Sequence, residues 1–328
     1  MEETIHSVSE MLKHVVGRIQ QDSGKKKKDR LRSNVKSLDD ILHNFYAGTL
    51  VTIGGMSSMG KTAFALNLVN EFAVKQKHPL LFFSLEGNAS LWTTRLLSIV
   101  TGISTSSLLD STLTADDWCK FDQRSSLLSD APIYLEAKRV NHIDKLCEVA
   151  RKMKEEYGIH IIFVDYVQLL NAKDGYSDNR YLDLNYVTRK LKELAKELEV
   201  PIVILSQLNR HLKDDDAGLE CKRPRISDLR DSGTIEEDSD LVILLHRPEY
   251  YHIYQDEKGN DLHGMVQLIV AKNRMGALGE CRVRFEASTG LMTDCTGEIM
   301  GDVNDVNRHQ GGSLPPTPPS IGDGPLPF

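Results

Sequence analysis

Residues 55–62 read Gly-Met-Ser-Ser-Met-Gly-Lys-Thr. An apolar run, Leu50–Ile53, precedes them, and a helical pattern over about residues 61–77 follows. Strand, glycine-rich turn and helix in that order bring the backbone N–H groups of the turn together at the helix's amino end, where an anion is favoured. The glycines let that backbone approach a ligand closely. The segment is read as a loop that cradles phosphates, formed by Gly55, Ser57, Ser58, Met59, Gly60, Lys61, Thr62 and Ala63. Lys61 would reach the β- and γ-phosphates, and the Thr62 hydroxyl would coordinate magnesium. The bland alternative is a glycine-rich turn without a ligand.

The rest of the chain supplies the context such a loop needs. Short β-rich runs are expected at Leu50–Ile53, Leu80–Ser84, Ile159–Val164, Ile202–Leu205, Leu241–Leu245, Val266–Ala271 and Arg282–Phe285. Helical patterns lie between them near 61–77, 89–101, 142–157 and 182–199. This alternation predicts an α/β fold with a mostly parallel sheet flanked by helices. Open sheets of this kind bind ligands at the carboxyl ends of their strands. Three polar residues sit at such ends. Asp165 closes Ile161-Ile162-Phe163-Val164 and suits the holding of a magnesium ion or its water shell. Glu86 follows Leu80-Leu81-Phe82-Phe83-Ser84-Leu85, where it can act as a base on water or simply cap the next helix. Gln207 follows Ser206, where it can bond a γ-phosphate or be an ordinary surface residue. Residues 208–239 read as a long polar loop, a feature that is usually functional or mobile.

Taken together, these pieces resemble one family. The phosphate loop and Glu86 are followed by Val-Asp-Tyr-Val-Gln-Leu (164–169), Leu-Ser-Gln-Leu-Asn-Arg (205–210), Ser-Asp-Leu-Arg-Asp-Ser-Gly-Thr-Ile-Glu-Glu-Asp-Ser-Asp (227–240) and Lys272-Asn273-Arg274-Met275-Gly276. Over about residues 35–290 the chain is similar to the C-terminal motor domain of DnaB-type replicative helicases. The resemblance implies a RecA-like P-loop NTPase core and a hexameric ring that uses ATP and magnesium to move 5′ to 3′ along single-stranded DNA. It also implies roles. Lys61 and Thr62 bind phosphate and metal, Asp165 assists the metal, Glu86 is the base, and Gln207 senses the γ-phosphate. Lys272 and Arg274 act in trans on a neighbour's γ-phosphate, and Arg230, Asp231, Ser232 and Gly233 grip DNA. The chain departs from the family pattern in having about 34 residues before the core in place of a globular domain that binds primase. Asp231 stands where the family commonly has Glu, and Glu136-Ala137-Lys138-Arg139 receives no assignment.

The ends read differently from the core, which is expected over 35–295. Ile5, Val8, Met11, Leu12, Val15, Val16 and Ile19 are spaced along one face of a helix over residues 2–20. A basic linker containing four consecutive lysines separates it from the core, so the helix either packs on a neighbouring subunit or folds back on its own domain. Residues 296–328, proline-rich from Gly311, are expected to be a disordered tail, idle or a docking point for a replisome protein. The 328 residues carry a net charge of −7, so the chain is not basic overall; basic loops gathered on the inner wall of a ring would still allow nucleic acid. Cys119, Cys147, Cys221, Cys281 and Cys295 form no CxxC pair and read as reduced core thiols of a cytoplasmic protein. Neither a transmembrane run nor a signal region is apparent. The resulting expectation is an ATP-dependent helicase motor with single-stranded DNA, other copies of itself and a loader, primase or other replisome protein as partners. Its rivals are a RecA-, RadA- or KaiC-like ATPase that remodels without unwinding, and an inactive ring subunit serving as scaffold or loader.

Overall fold

The computed structural model describes residues 7–9, 12–13, 15–17, 30–137, 140–172, 180–208, 223–256 and 258–295; of residues 180, 181 and 230–233 it describes the backbone alone. Nine strands form one sheet: β1 Leu50–Gly55, β2 Leu80–Ser84, β3 Ile133–Glu136, β4 Ile161–Asp165, β5 Ile202–Gln207, β6 Leu241–His246, β7 Met265–Asn273, β8 Gly279–Glu286 and β9 Leu291–Asp294. Their order is β3-β2-β4-β5-β1-β6-β7-β8-β9. Pairing is parallel from β3 through β6 and antiparallel from β6 to β9. The expected RecA-like, mostly parallel α/β architecture is the one observed.

The central strands are apolar runs because both sheet faces are covered. Along β2, Leu80 and Phe82 point into one core and Leu81 and Phe83 into the other. β4 alternates in the same way, with Ile161 and Phe163 on one side and Ile162 and Val164 on the other. The first core is roofed by α1 (Lys36–Leu42), α2 (Lys61–Val69), which continues through a π-helical turn at Asn70–Lys75, and α3 (Ala89–Thr101). The second is roofed by α6 (Ile143–Tyr157) and α7 (Arg180–Leu198). Between α3 and α6 lie α4 (Thr105–Leu109) and α5 (Ala115–Ser129), and α8 (Gly233–Asp238) precedes β6.

Several elements were not expected. Strand β3 is a half-buried edge of four residues, and β9 is equally short, so neither carries a long apolar run. Helix α5 buries no residue fully; its start is set by a capping box between Thr114 and Asp117. The polar stretch expected as a loop at 208–239 forms 3-10 turns over Ile226–Ser232 and then α8, while residues 209–222 lie outside the described residues. Cys147 and Cys281 are buried, and burial pushes their thiols up to about 11 and about 12. Cys119, however, is exposed on α5, which buries no residue fully, and Cys295, just beyond β9, is half-buried; Cys221 lies outside the described residues. Residues 8–9, 12–13 and 15–17 are helical, and Val8, Leu12, Val15 and Val16 are exposed. The rest of the expected 2–20 helix, the lysine run and residues 296–328 lie outside the described residues. Among the described residues no helix is long and apolar enough to cross a membrane.

Candidate nucleotide site

The site begins at the carboxyl end of β1, the strand between β5 and β6. Gly54 and Gly55 stand opposite Ser206 and Gln207 of β5, and opposite Leu244 and Leu245 of β6. A Cβ on Gly54 would lie 2.8 Å from Leu244 Cδ2, so any side chain there would force Leu244 to move. The chain then turns through Ser58 (φ 64°) and Gly60 (φ 91°), both left-handed, and enters α2 at Lys61. Ser57 and Ser58 are exposed on the turn, while Met59 buries its side chain in the core. Ala63 lies half-buried in the first turn of α2. The Lys61 ammonium folds across the loop and donates to the carbonyls of Gly55 at 2.8 Å and Met56 at 2.9 Å. Burial holds its pKa below the ordinary lysine value, against the opposing pull of Asp165 and Glu86.

Directly beyond Lys61, the Thr62 hydroxyl donates to Asp165 Oδ2 at 2.9 Å. Asp165 ends β4, is 7% exposed, and is pushed up to about 6, chiefly by burial and also by the nearby Glu86, while the Thr62 bond opposes the shift. A hydroxyl and a buried carboxylate side by side are the oxygen donors a hard divalent cation takes, and a cation would relieve the cost of ionising Asp165. The residues present therefore fit magnesium. Glu86 follows β2 by two residues. There Ser84 pairs with Asp165, and Leu85 N–H donates to the Asp165 carbonyl at 2.8 Å. Its carboxylate is exposed to solvent at the mouth of the site. Lys61, Thr62, Asp165 and Glu86, far apart in sequence, thus share one end of the sheet, with exposed Gln207 on the strand between β1 and β4.

Three features of this site escaped sequence reasoning. Gln168 clamps the end of β5: its amide donates to Ser206 Oγ at 2.8 Å and to the Gln207 carbonyl at 3.1 Å, and its Oε1 accepts from Gln207 N–H at 3.4 Å. Its place in the 164–169 motif was the available signal. Asn67 ties α2 to the β8–β9 turn, donating to the Gly290 carbonyl at 2.8 Å and accepting from Met292 N–H at 2.9 Å. Met292 pairs with Phe285, whose ring lies 5.0 Å beneath the Arg247 guanidinium. This packing props the loop from the side of the antiparallel strands.

The family model described as DnaB-like helicase C terminal domain matches residues 31–294. The chain belongs to this family. It is 36% identical over 259 residues to a protein named probable replicative DNA helicase from Trieres chinensis, covering 79% of this chain and 56% of that one. It is 34% identical over 248 residues to the replicative DNA helicase DnaB of Geobacillus stearothermophilus, covering 76% of this chain and 53% of that one. The chain therefore spans about half the length of these curated relatives. Among solved structures, one described as an ATPase domain superposes with a TM-score of 0.78 at 28% identity, covering 88% of this chain and 99% of that one. A DnaB-like replicative helicase, in a structure titled for its interactions with primase, superposes with a TM-score of 0.73 at 28% identity, covering 88% of this chain and 67% of that one.

In this member of the DnaB-like family, two of the sequence-predicted residues lie away from the phosphate loop. Lys272 pairs across β7–β6 with Val242, which in turn pairs with Thr52 in the amino-terminal half of β1. Arg274 lies further out, its N–H donating to the Asp240 carbonyl at 2.8 Å. The two cations therefore sit toward the amino ends of the parallel strands, and Arg274 is half exposed. The side chains of Arg230, Asp231 and Ser232 lie outside the described residues, and Gly233 is described by its backbone. Their backbone continues from Leu229, which is buried close to Gly54 and so anchors the segment beneath the phosphate loop.

Proposed function

We propose that this chain is the motor of a replicative DNA helicase. It hydrolyses ATP, moves 5′ to 3′ along single-stranded DNA at a replication fork, works as a hexameric ring, and resides in the cytoplasm. The observation that carries the reading is the separation of the site into two halves. One end of the sheet bears a phosphate cradle, a half-buried hydroxyl bonded to a buried carboxylate, and an exposed glutamate. The other bears Lys272 and Arg274, remote from their own loop. Each half lacks what the other offers, and a head-to-tail ring joins them at every interface.

In that interface Lys61 and the loop amides bind the phosphates, and the nucleotide displaces the Lys61 ammonium from the Gly55 and Met56 carbonyls. Thr62 and Asp165 would hold magnesium, which would supply positive charge against the phosphates. Glu86 accepts the proton of the attacking water. Lys272 and Arg274 of the adjacent copy stabilise the charge that builds in the transition state. Gln207 bonds the γ-phosphate, and Gln168 fixes the backbone that carries it. The segment Arg230, Asp231, Ser232 and Gly233 holds DNA phosphates without reading bases. The helix over residues 2–20 packs on the adjacent copy, a reading supported by the exposure of Val8, Leu12, Val15 and Val16. A loader, primase or other replisome protein is the further partner.

The test is unwinding of a forked duplex with a free 5′ tail, run beside ATP hydrolysis with and without single-stranded DNA. Unwinding that requires the 5′ tail and hydrolysis stimulated by DNA are expected. Stimulated hydrolysis without unwinding would favour a remodelling ATPase, and absence of both would favour a scaffold.

A further inference from the structure

The two cations at the far end of the sheet are held, and what holds them is the helix that follows the 226–232 turns. Lys272 Nζ donates to the carbonyls of Glu236 at 2.5 Å and Glu237 at 3.2 Å. Arg274 Nη2 donates to the same Glu237 carbonyl at 2.9 Å, and its Nη1 lies 3.5 Å from Asp240 Oδ1. Glu236 and Glu237 are in the last turn of α8, whose final carbonyls have no partner further along the helix. Two side chains thus satisfy carbonyls at the end of one short helix.

Asp240 fixes the geometry of this arrangement. It is buried, its Oδ2 accepts from Leu50 N–H at 2.8 Å, and it is paired with Lys192 of α7. It cannot follow Arg274 outward without releasing the start of β1, so any movement belongs to Arg274. The two cations also crowd each other. The Lys272 pKa is held low, first by burial and then by Arg274. Glu236, Asp240 and Asp238 oppose that shift.

We propose that the carboxyl end of α8 is a resting dock for Lys272 and Arg274, which leave it when an adjacent copy presents a nucleoside triphosphate, so that nucleotide in one subunit loosens the 226–238 segment of the next. The inference rests on the proposed action of these residues in trans and adds a second job for them within their own subunit. The physical basis is competition: one pair of cations, two acceptors, and a shift set by the difference in affinity. Because α8 follows the 226–232 turns without a break, its carbonyls and the DNA segment form one connected element.

Amide hydrogen exchange of the full chain, read over residues 234–240, distinguishes this from action in trans alone. Without nucleotide, Arg274→Met and Lys272→Met should each speed exchange there roughly two- to five-fold, the size of effect expected from removing a cation at a helix carboxyl end. Exchange in β1 and β5 serves as the control for an intact fold. A purely trans role predicts no change in the absence of nucleotide, and that result would overturn the proposal. In wild-type protein, saturation with a non-hydrolysable ATP analogue should produce the same acceleration. Slower or unchanged exchange with the analogue bound, as measured by equilibrium dialysis, would also overturn it. An analogue that does not bind refutes the ATPase reading itself and the departure step with it, whereas an analogue that binds, in a protein that fails to unwind DNA with ATP, refutes only the helicase reading.

Discussion

In the proposed reaction Lys61 and Glu86, which stand at the same end of the sheet, serve different stages. Lys61 supplies charge to bound phosphate, so Lys61→Ala should weaken nucleotide binding. Glu86 is needed only as the water is deprotonated, so Glu86→Gln should bind ATP normally and lose turnover by orders of magnitude. If more than about a tenth of kcat survives in Glu86→Gln, the barrier has risen by less than about 1.4 kcal/mol and another base is at work. Two buried groups make a second test, in protein free of nucleotide and magnesium. Asp165 is raised from 3.8 to about 6, chiefly by burial, so its contribution to stability is full below the unfolded value and is lost as pH rises through about 6. His246 is lowered from 6.5 to about 4 by burial and by Arg223, so its contribution is full above 6.5 and is lost as pH falls toward 4. Between pH 7 and pH 5 the two shift stability by roughly 1–2 kcal/mol in opposite directions. Urea unfolding should therefore show Asp165→Asn losing stability on acidification relative to wild type, and His246→Phe gaining it. Parallel pH profiles for all three proteins would contradict this assignment.

At the scale of elements, the phosphate loop depends on how closely β1 packs between its neighbours. A Cβ at Gly54 would lie 2.8 Å from Leu244 and 3.4 Å from Leu208, with Leu229 of the following turns close behind. Gly54→Ala should therefore destabilise the fold by about 1–3 kcal/mol through overpacking, measured by urea unfolding. Because Leu229 shares that contact, the variant should also weaken single-stranded DNA binding. A stable variant with unchanged DNA affinity would mean that Leu244 yields without disturbing the segment. The strands around this point were legible because both faces are buried, which leaves continuous apolar runs. Short edge strands and α5, which bury little, left no such mark.

For the whole molecule, the proposed division of the site between two ends of one sheet means that it cannot close within a single copy. Arg274→Ala should abolish DNA-stimulated hydrolysis while leaving ATP binding by the monomer intact. Mixing Arg274→Ala with Glu86→Gln subunits should restore part of the activity, because some interfaces then regain both a base and a cation. A mixture as inactive as either parent would count against action in trans. The exposed Val8, Leu12, Val15 and Val16 lead to a related outcome. Deleting residues 1–24 should convert oligomer to monomer, as read by mass in solution with an ATP analogue and oligo-dT, with ATP binding retained. An unchanged mass would show that the helix is not what joins the copies.

By itself the sequence determined the local chemistry. A glycine turn between strand and helix, an acid closing an apolar run, and a glutamate two residues beyond a strand are all features of consecutive residues. Their geometry follows from backbone sterics and strand period, and Lys61, Thr62, Asp165 and Glu86 could be named from them. Tertiary structure decided everything that depends on register. Asp240 meets Leu50 N–H across a separation of 190 residues, Gln168 meets Gln207 across 39, and Lys272 comes to rest on α8 only because β7 runs antiparallel to β6. Pairings of that kind are set by how strands align once packed. No local pattern of residues encodes them, and they put Lys272 and Arg274 at the opposite end of the sheet from the loop.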